Sequence, residues 1–248
     1  MQNLTIAAAQ VASVRGKIDH NIATHLTAIT TAARHGVSML VFPELSLTGY
    51  ERDLAAELAM TSDGPRLDPL RSLAVESRID VVAGAPLRNG AEKPSLGAIV
   101  FGSDGVTRTY RKMHLGVGER AFFAPGDSPL LQAVNGHAVG VAICADATHP
   151  SHPQWYAAAG AGIYAAGVCL NEEWFQTDAA QLASYAPQHG MLVVMANHGA
   201  SVGTYTSVGK SAAWSPRGEV LAQTSSTENA LVIATSDGAG WSGEVVGL

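Results

Sequence analysis

The sequence predicts an α/β protein with helices layered on a sheet, and three observations lead there. Apolar runs of strand length at residues 4–11, 37–42 and 79–85 are separated by stretches of helical spacing, an alternation that puts helices on sheet faces. Asp104-Gly105, between strand-length segments at 96–101 and 106–110, is a hairpin signal, so part of the sheet is antiparallel. Of the 248 residues, 47% are hydrophobic and only 15% are charged, which suits one domain over residues 1–248 with an extensive core.

In order, the first strand gives way to a helix expected at about 21–35, with Asp19 and Asn21 as capping candidates and Ile22, Leu26, Ile29 and Ala33 at helical spacing. Gly36 closes it. The strand at 37–42 breaks at Pro43, which cannot extend a ladder, and Glu44 follows among apolar residues. Locally Glu44 also reads as a loop or helix-start acid, yet Phe42, Leu45 and Leu47 argue for burial, which raises a carboxyl toward the range useful for proton transfer. Helices are expected at 54–60 and 69–77. Lys112 and His114 come where the hairpin gives out, and there the simplest readings are a solvated cation and a packing residue. The loop 116–126 then places Glu119 near Lys112.

The run from His137 to Ile143 is apolar with β-branched members and reads as a buried strand that delivers Cys144 at its C-terminal lip, where ligands of α/β sheets bind. A thiol of ordinary pKa is only a few per cent thiolate at neutral pH, so a nucleophilic Cys144 needs a base and a cation nearby. Cys169, the second cysteine, is expected to be a free thiol in the core. His149 and His152 lack the further ligands of a zinc site, and a Cys-His base reading would leave Glu44 and Lys112 idle. Strands are expected at 192–196, 211–215 and 230–234, followed by a short tail at 240–248. The net charge of -6 without a basic run speaks against nucleic acid or an anionic membrane as partner and for a small molecule. Met1-Gln2-Asn3 and the residues after it show no leader pattern, giving the expectation of a soluble, cytoplasmic protein.

Phe42-Pro43-Glu44 with Gly49-Tyr50, Arg111-Lys112-Met113-His114-Leu115, Glu119 ahead of Phe123-Ala124-Pro125-Gly126, and Gly140-Val141-Ala142-Ile143-Cys144 together resemble the successive signatures of the nitrilase superfamily of carbon-nitrogen hydrolases. Ala196-Asn197 and Gly209-Lys210-Ser211 are similar to its later landmarks. The resemblance implies a four-layer αββα sandwich of two mixed β-sheets flanked by helices, paired as a homodimer. It also implies a Glu44-Lys112-Cys144 triad supported by Glu119, with the Ala145 backbone N–H as an oxyanion donor. Tyr50, Phe123 and Asn171 would line the substrate, and neither metal nor organic cofactor is needed. The implied reaction is hydrolysis of a small carboxamide through a Cys thioester. Nitrile or N-carbamoyl hydrolysis, acyl transfer to an amine, and a catalytically idle dimeric scaffold remain as alternatives. Two stretches depart from the family pattern. Ala145-Asp146-Ala147-Thr148-His149-Pro150-Ser151 keeps the Asp but lacks the usual Arg and Glu, and Pro187 falls in an expected helix.

Overall fold

A computed structural model describes residues 4–90 and 92–248, so the leaderless reading of Met1-Gln2-Asn3 lies outside the described residues. The chain runs β1 (Leu4–Gln10), α1 (Ile18–Arg34), β2 (Met39–Val41), α2 (Ala55–Leu58), α3 (Asp68–Ser77), β3 (Asp80–Leu87), β4 (Ser95–Phe101) and β5 (Thr107–Arg111). It continues through β6 (Leu131–Val134), β7 (His137–Ile143), α4 (Ser151–Ala158), β8 (Ile163–Gly167), α5 (Glu172–His189), β9 (Leu192–Ala196), β10 (Ala212–Trp214), β11 (Val220–Gln223), β12 (Ala230–Ser236) and β13 (Trp241–Gly247).

The strands form a seven-stranded sheet in the order β13-β12-β1-β2-β3-β4-β5 and a six-stranded sheet in the order β11-β10-β9-β8-β7-β6. Both are mixed. The pairs β1/β2, β2/β3, β7/β8 and β8/β9 are parallel and their neighbours antiparallel. Successive side chains on a strand point to opposite faces, and the core divides accordingly. Ile6, Ala8, Val41, Val82 and Val100 meet Val139, Val141, Ile163 and Val194 between the sheets. The other face of the larger sheet, with Ala7, Ala9, Leu40 and Val81, packs on Ile22 and Ile29 of α1 and Leu70 of α3. That of the smaller sheet, with Ala142, Ala166 and Val193, packs on Tyr156 of α4 and Leu182 and Tyr185 of α5. The result is the expected sequence of layers, helix, sheet, sheet, helix.

Several elements differ from expectation. Helix α1 starts at Ile18 after Lys17, with no side-chain cap, so neither Asp19 nor Asn21 caps it. Asn21 instead accepts from the Val14 N–H and donates to the Leu47 carbonyl, while Asp19 pairs with Arg66. The helix expected at 54–60 is a single turn, because Met60 donates its N–H to Pro86 O and bridges to Leu87 of β3 beyond the reach of short β2. Strands β6 and β11 were not expected, although Asn135-Gly136 between β6 and β7, both at positive φ, is a strong hairpin pair. The tail at 240–248 is β13, paired with β12 from Ala230↔Gly247 to Ser236↔Trp241. Pro187 sits inside α5, in the last turn before Gly190 at φ 64; lacking an N–H, it leaves the Ala183 carbonyl without its i+4 donor, a loss confined to the end of the helix.

Candidate active site

Glu44 is carried into the space between the sheets by a turn that two glycines admit. Beyond β2, Phe42 N–H still donates to Val82 O at 2.9 Å, and Pro43 then ends the ladder. A Cβ at Gly84 would lie 2.3 Å from Leu45 N, and one at Gly167 would lie 2.4 Å from Phe42 O. Only residues without side chains let this turn come so close. Leu45 itself adopts φ 52, a costly value for a branched residue. The turn is pinned from both sheets. Ser46 Oγ accepts from Gly84 N–H and bonds to His25 Nε2, and His198 Nε2–H, beyond β9, donates to Glu44 O at 2.8 Å.

Lys112 follows β5, and its Nζ lies 2.6 Å from Glu44 Oε1 and 2.9 Å from each carboxylate oxygen of Glu119. Glu119 opens a short 3-10 turn and accepts further from Tyr50 OH at 2.6 Å and from Gly116 N–H at 2.7 Å. Lys112 is fully buried, Glu44 1% exposed and Glu119 2% exposed. A solvated strand-end cation is thereby excluded: this is an internal ion cluster, whose desolvation has to be met by direct partners. Every partner of the ammonium is a carboxylate, and one oxygen of the cluster, Glu44 Oε2, is buried without a hydrogen bond.

Cys144 ends β7 and begins a 3-10 turn to Thr148, at φ 42. Such a left-handed nucleophile at a strand-to-helix junction stores about 1–3 kcal/mol of backbone strain. The thiol is half-buried, close enough to Glu44 and Lys112 to feel both charges, and it receives the backbone N–H of Cys169. Burial and the negative Glu44 push its pKa well up, against the opposing pull of Lys112 and that N–H. Burial likewise raises Glu44, to about 7, although Lys112 opposes it; Glu119 adds to the rise. For Lys112 burial works downward, but Glu44, Cys144 and Glu119 outweigh it, and the ammonium is held on its proton. The group able to change protonation near neutrality is therefore Glu44.

Asp146 fastens the cysteine turn to the lysine segment. Its Oδ1 accepts from Met113 N–H at 3.1 Å and His114 N–H at 2.8 Å, and its Oδ2 from Tyr110 OH at 2.7 Å and Ile143 N–H at 3.1 Å. The sequence offered a signal for it, an Asp kept two residues beyond the nucleophile in a stretch that otherwise departs from the family pattern. His198 and the two glycines gave none. His114, read as a packing residue, also brings Nδ1 to 3.1 Å from Asp146 Oδ1 and stacks on His149 at 4.0 Å. His152 is buried between Tyr110 OH and Tyr164 OH, with a partner on each ring nitrogen. No cluster of three or more His, Cys, Asp or Glu suited to a metal occurs among the described residues.

The remaining sequence candidates are placed unevenly. Ala145 lies in the first turn after the nucleophile, where backbone N–H groups lack intrahelical partners. Tyr50 reaches the ion cluster through Glu119. Phe123 is buried in the inter-sheet core. Asn171 caps α5, its side chain accepting from Trp174 N–H at 3.2 Å. Cys169 is buried, and both cysteines are free thiols.

A family model described as carbon-nitrogen hydrolase matches residues 5–242. A nitrilase of Pyrococcus abyssi is 30% identical over 235 residues, covering 88% of this chain and 84% of its own. An (R)-stereoselective amidase of a Pseudomonas species is 29% identical over 223 residues, covering 88% and 80%. Among solved structures, a mutant of the amidase from Nesterenkonia sp. AN1 in complex with butyramide superposes with a TM-score of 0.84 at 24% identity, covering 93% of this chain and 89% of that one. Fold and sequence thus agree over nearly the whole length, and the chain belongs to the nitrilase superfamily of carbon-nitrogen hydrolases.

Proposed function

We propose that the protein hydrolyses a small carboxamide to a carboxylic acid and ammonia through a thioester on Cys144. The observation that carries this reading is the division of labour at Glu44: Oε1 holds the Lys112 ammonium, while Oε2 is left without a partner beside a thiol that keeps its proton. A thiol of raised pKa cannot rely on pre-formed thiolate, so its proton has to leave as the new bond forms. Glu44 takes that proton as Sγ attacks the amide carbon. Lys112 Nζ and the Ala145 N–H stabilise the oxyanion that develops, at no reorganisation cost because the lysine is already fixed by two carboxylates. The proton on Glu44 passes to the amide nitrogen, the C–N bond breaks and ammonia departs. Water, deprotonated by Glu44, then attacks the thioester; the acid leaves and the thiol regains its proton. Glu119 holds Lys112 in place throughout.

Two further expectations join this reading. Trp155 on α4 and Trp174 on α5 are about half exposed, 47% and 49%, on the outer helices, which supports pairing of two copies through that layer. Free Cys144 and Cys169 suit a reducing compartment such as the cytoplasm. The activity is tested by ammonia release from a panel of short aliphatic, aromatic, dicarboxylic mono-amide and N-carbamoyl substrates. Release that disappears in Cys144→Ala is the expected result. Silence across the panel, together with a Cys144 that alkylates no faster than Cys169, would overturn the reading in favour of a scaffold.

A further inference from the structure

Beside the ion cluster lies a cleft of about 330 Å3 whose walls include Tyr50, Arg52, Phe122, Gly203 and Thr204. Its two cations are treated differently. Arg15 is matched by the carboxylates of Glu51 and Asp53. Arg52 makes no ion pair among the described residues, and its one hydrogen bond is donated to Val117 O at 3.3 Å. Its guanidinium is instead held among three rings, 5.7 Å from the centre of Tyr50, 6.0 Å from Phe122 and 5.9 Å from Tyr205. Aromatic faces fix a guanidinium's plane without using its N–H groups, so most of its five donors stay available. The same rings lead inward. Tyr50 OH bonds to Glu119, and Tyr205 packs edge-on to Tyr50 at 5.1 Å. One tyrosine layer thus separates an unmatched cation from the reacting groups.

We infer that Arg52 is a specificity-determining residue that binds a carboxylate at the far end of the substrate, making the preferred substrate the mono-amide of a short dicarboxylic acid. This rests on the amidase reading and refines it. A planar guanidinium with free donors recognises a carboxylate through two parallel N–H···O bonds, and the acids already in the cleft do not compete, because Arg15 and the Gly203 N–H occupy Glu51 and Arg15 occupies Asp53.

The test is the ratio of kcat/KM for succinamic acid to that for butyramide, which differ only by carboxylate against methyl. A charge-assisted pair of this kind is expected to favour the acid by about 10–100-fold, expressed in KM. Arg52→Gln should collapse that ratio, Arg52→Lys should keep part of it, and Arg66→Gln, on a distant exposed ion pair, should leave it unmoved. Succinate should also protect Cys144 from alkylation in the unsubstituted protein and not in Arg52→Gln. A ratio near one at the outset, or one that Arg52→Gln does not change, overturns the inference while leaving the amidase reading intact. Failure to hydrolyse either amide, with no protection by succinate, also overturns the inference, whereas the amidase reading falls only with silence across the whole panel and an unreactive Cys144.

Discussion

Glu44 has to act as a base in surroundings that oppose its ionisation. Burial raises its pKa to about 7, far enough for a carboxylate to be a useful proton acceptor yet low enough for a sizeable fraction to be ionised at neutral pH. The same burial keeps Cys144 a thiol, so the pair operates by proton transfer during attack. The pH profile follows from this. Below about 7 Glu44 carries its own proton and cannot accept another, so kcat/KM should fall close to tenfold per unit as pH drops, and level off above that pKa. Glu44→Gln keeps an acceptor for Lys112 but removes the base; its activity should drop by about 10²–10⁴-fold, measured with circular dichroism as a check on folding. A profile already flat from pH 5 to 8 would contradict a base at this position.

At the scale of elements, three strand ends and one tight turn build the site. The strand ends were legible. Apolar runs stopping at Pro43 and Ile143 announce where Glu44 and Cys144 emerge, because a polar residue after a strand-length apolar run marks the sheet's edge; Lys112 is announced by the Asp104-Gly105 hairpin turn, whose second strand ends just before it. What brings the three together was not legible, since it rests on contacts between distant segments: Gly84 and Gly167 are ordinary strand glycines until the turn that crosses them is seen. Likewise β11 and β13 are short or half-exposed strands whose pattern does not rise above that of a loop; their pairing comes from β10 and β12. The crossing gives a sharp prediction. Gly84→Ala would drive a methyl into Leu45 N and Pro43 O, both within 2.5 Å; the turn must move, taking Glu44 with it. The expected result is a loss of about 1–3 kcal/mol of stability, by analogy with overpacked cores, and activity reduced more than tenfold, as for a misplaced reacting group. Wild-type activity with an unchanged unfolding midpoint would show that the turn has room.

Across the whole molecule, burial sets acid stability as well as reactivity. His25, His152 and His198 are buried, and desolvation lowers each from 6.5 to about 4. In the unfolded chain they titrate near 6.5, so between pH 6.5 and 4 the unfolded state holds protons that the folded state refuses. Stability that is complete above 6.5 is therefore lost as pH falls through that window, by on the order of 2 kcal/mol per histidine at pH 5. Glu44 works the other way, since its folded pKa lies above its ordinary value of 4.5 and the folded state gains protons between about 7 and 4.5. Three groups outweigh one, and urea midpoints should decline clearly from pH 7.5 to 5; equal midpoints would contradict the buried, neutral state of these rings. The layers that hide these histidines also fix Cys144 beside Glu44 and Lys112, and the covalent chemistry of that cysteine is the centre of the account. It is tested most directly by quenching the protein with acid during turnover of a small amide and mapping the peptide that carries Cys144 by mass spectrometry. The account predicts the acyl mass on Cys144, absent without substrate and absent in Cys144→Ala. Ammonia release with no acyl adduct on Cys144, and undiminished in Cys144→Ala, would contradict it.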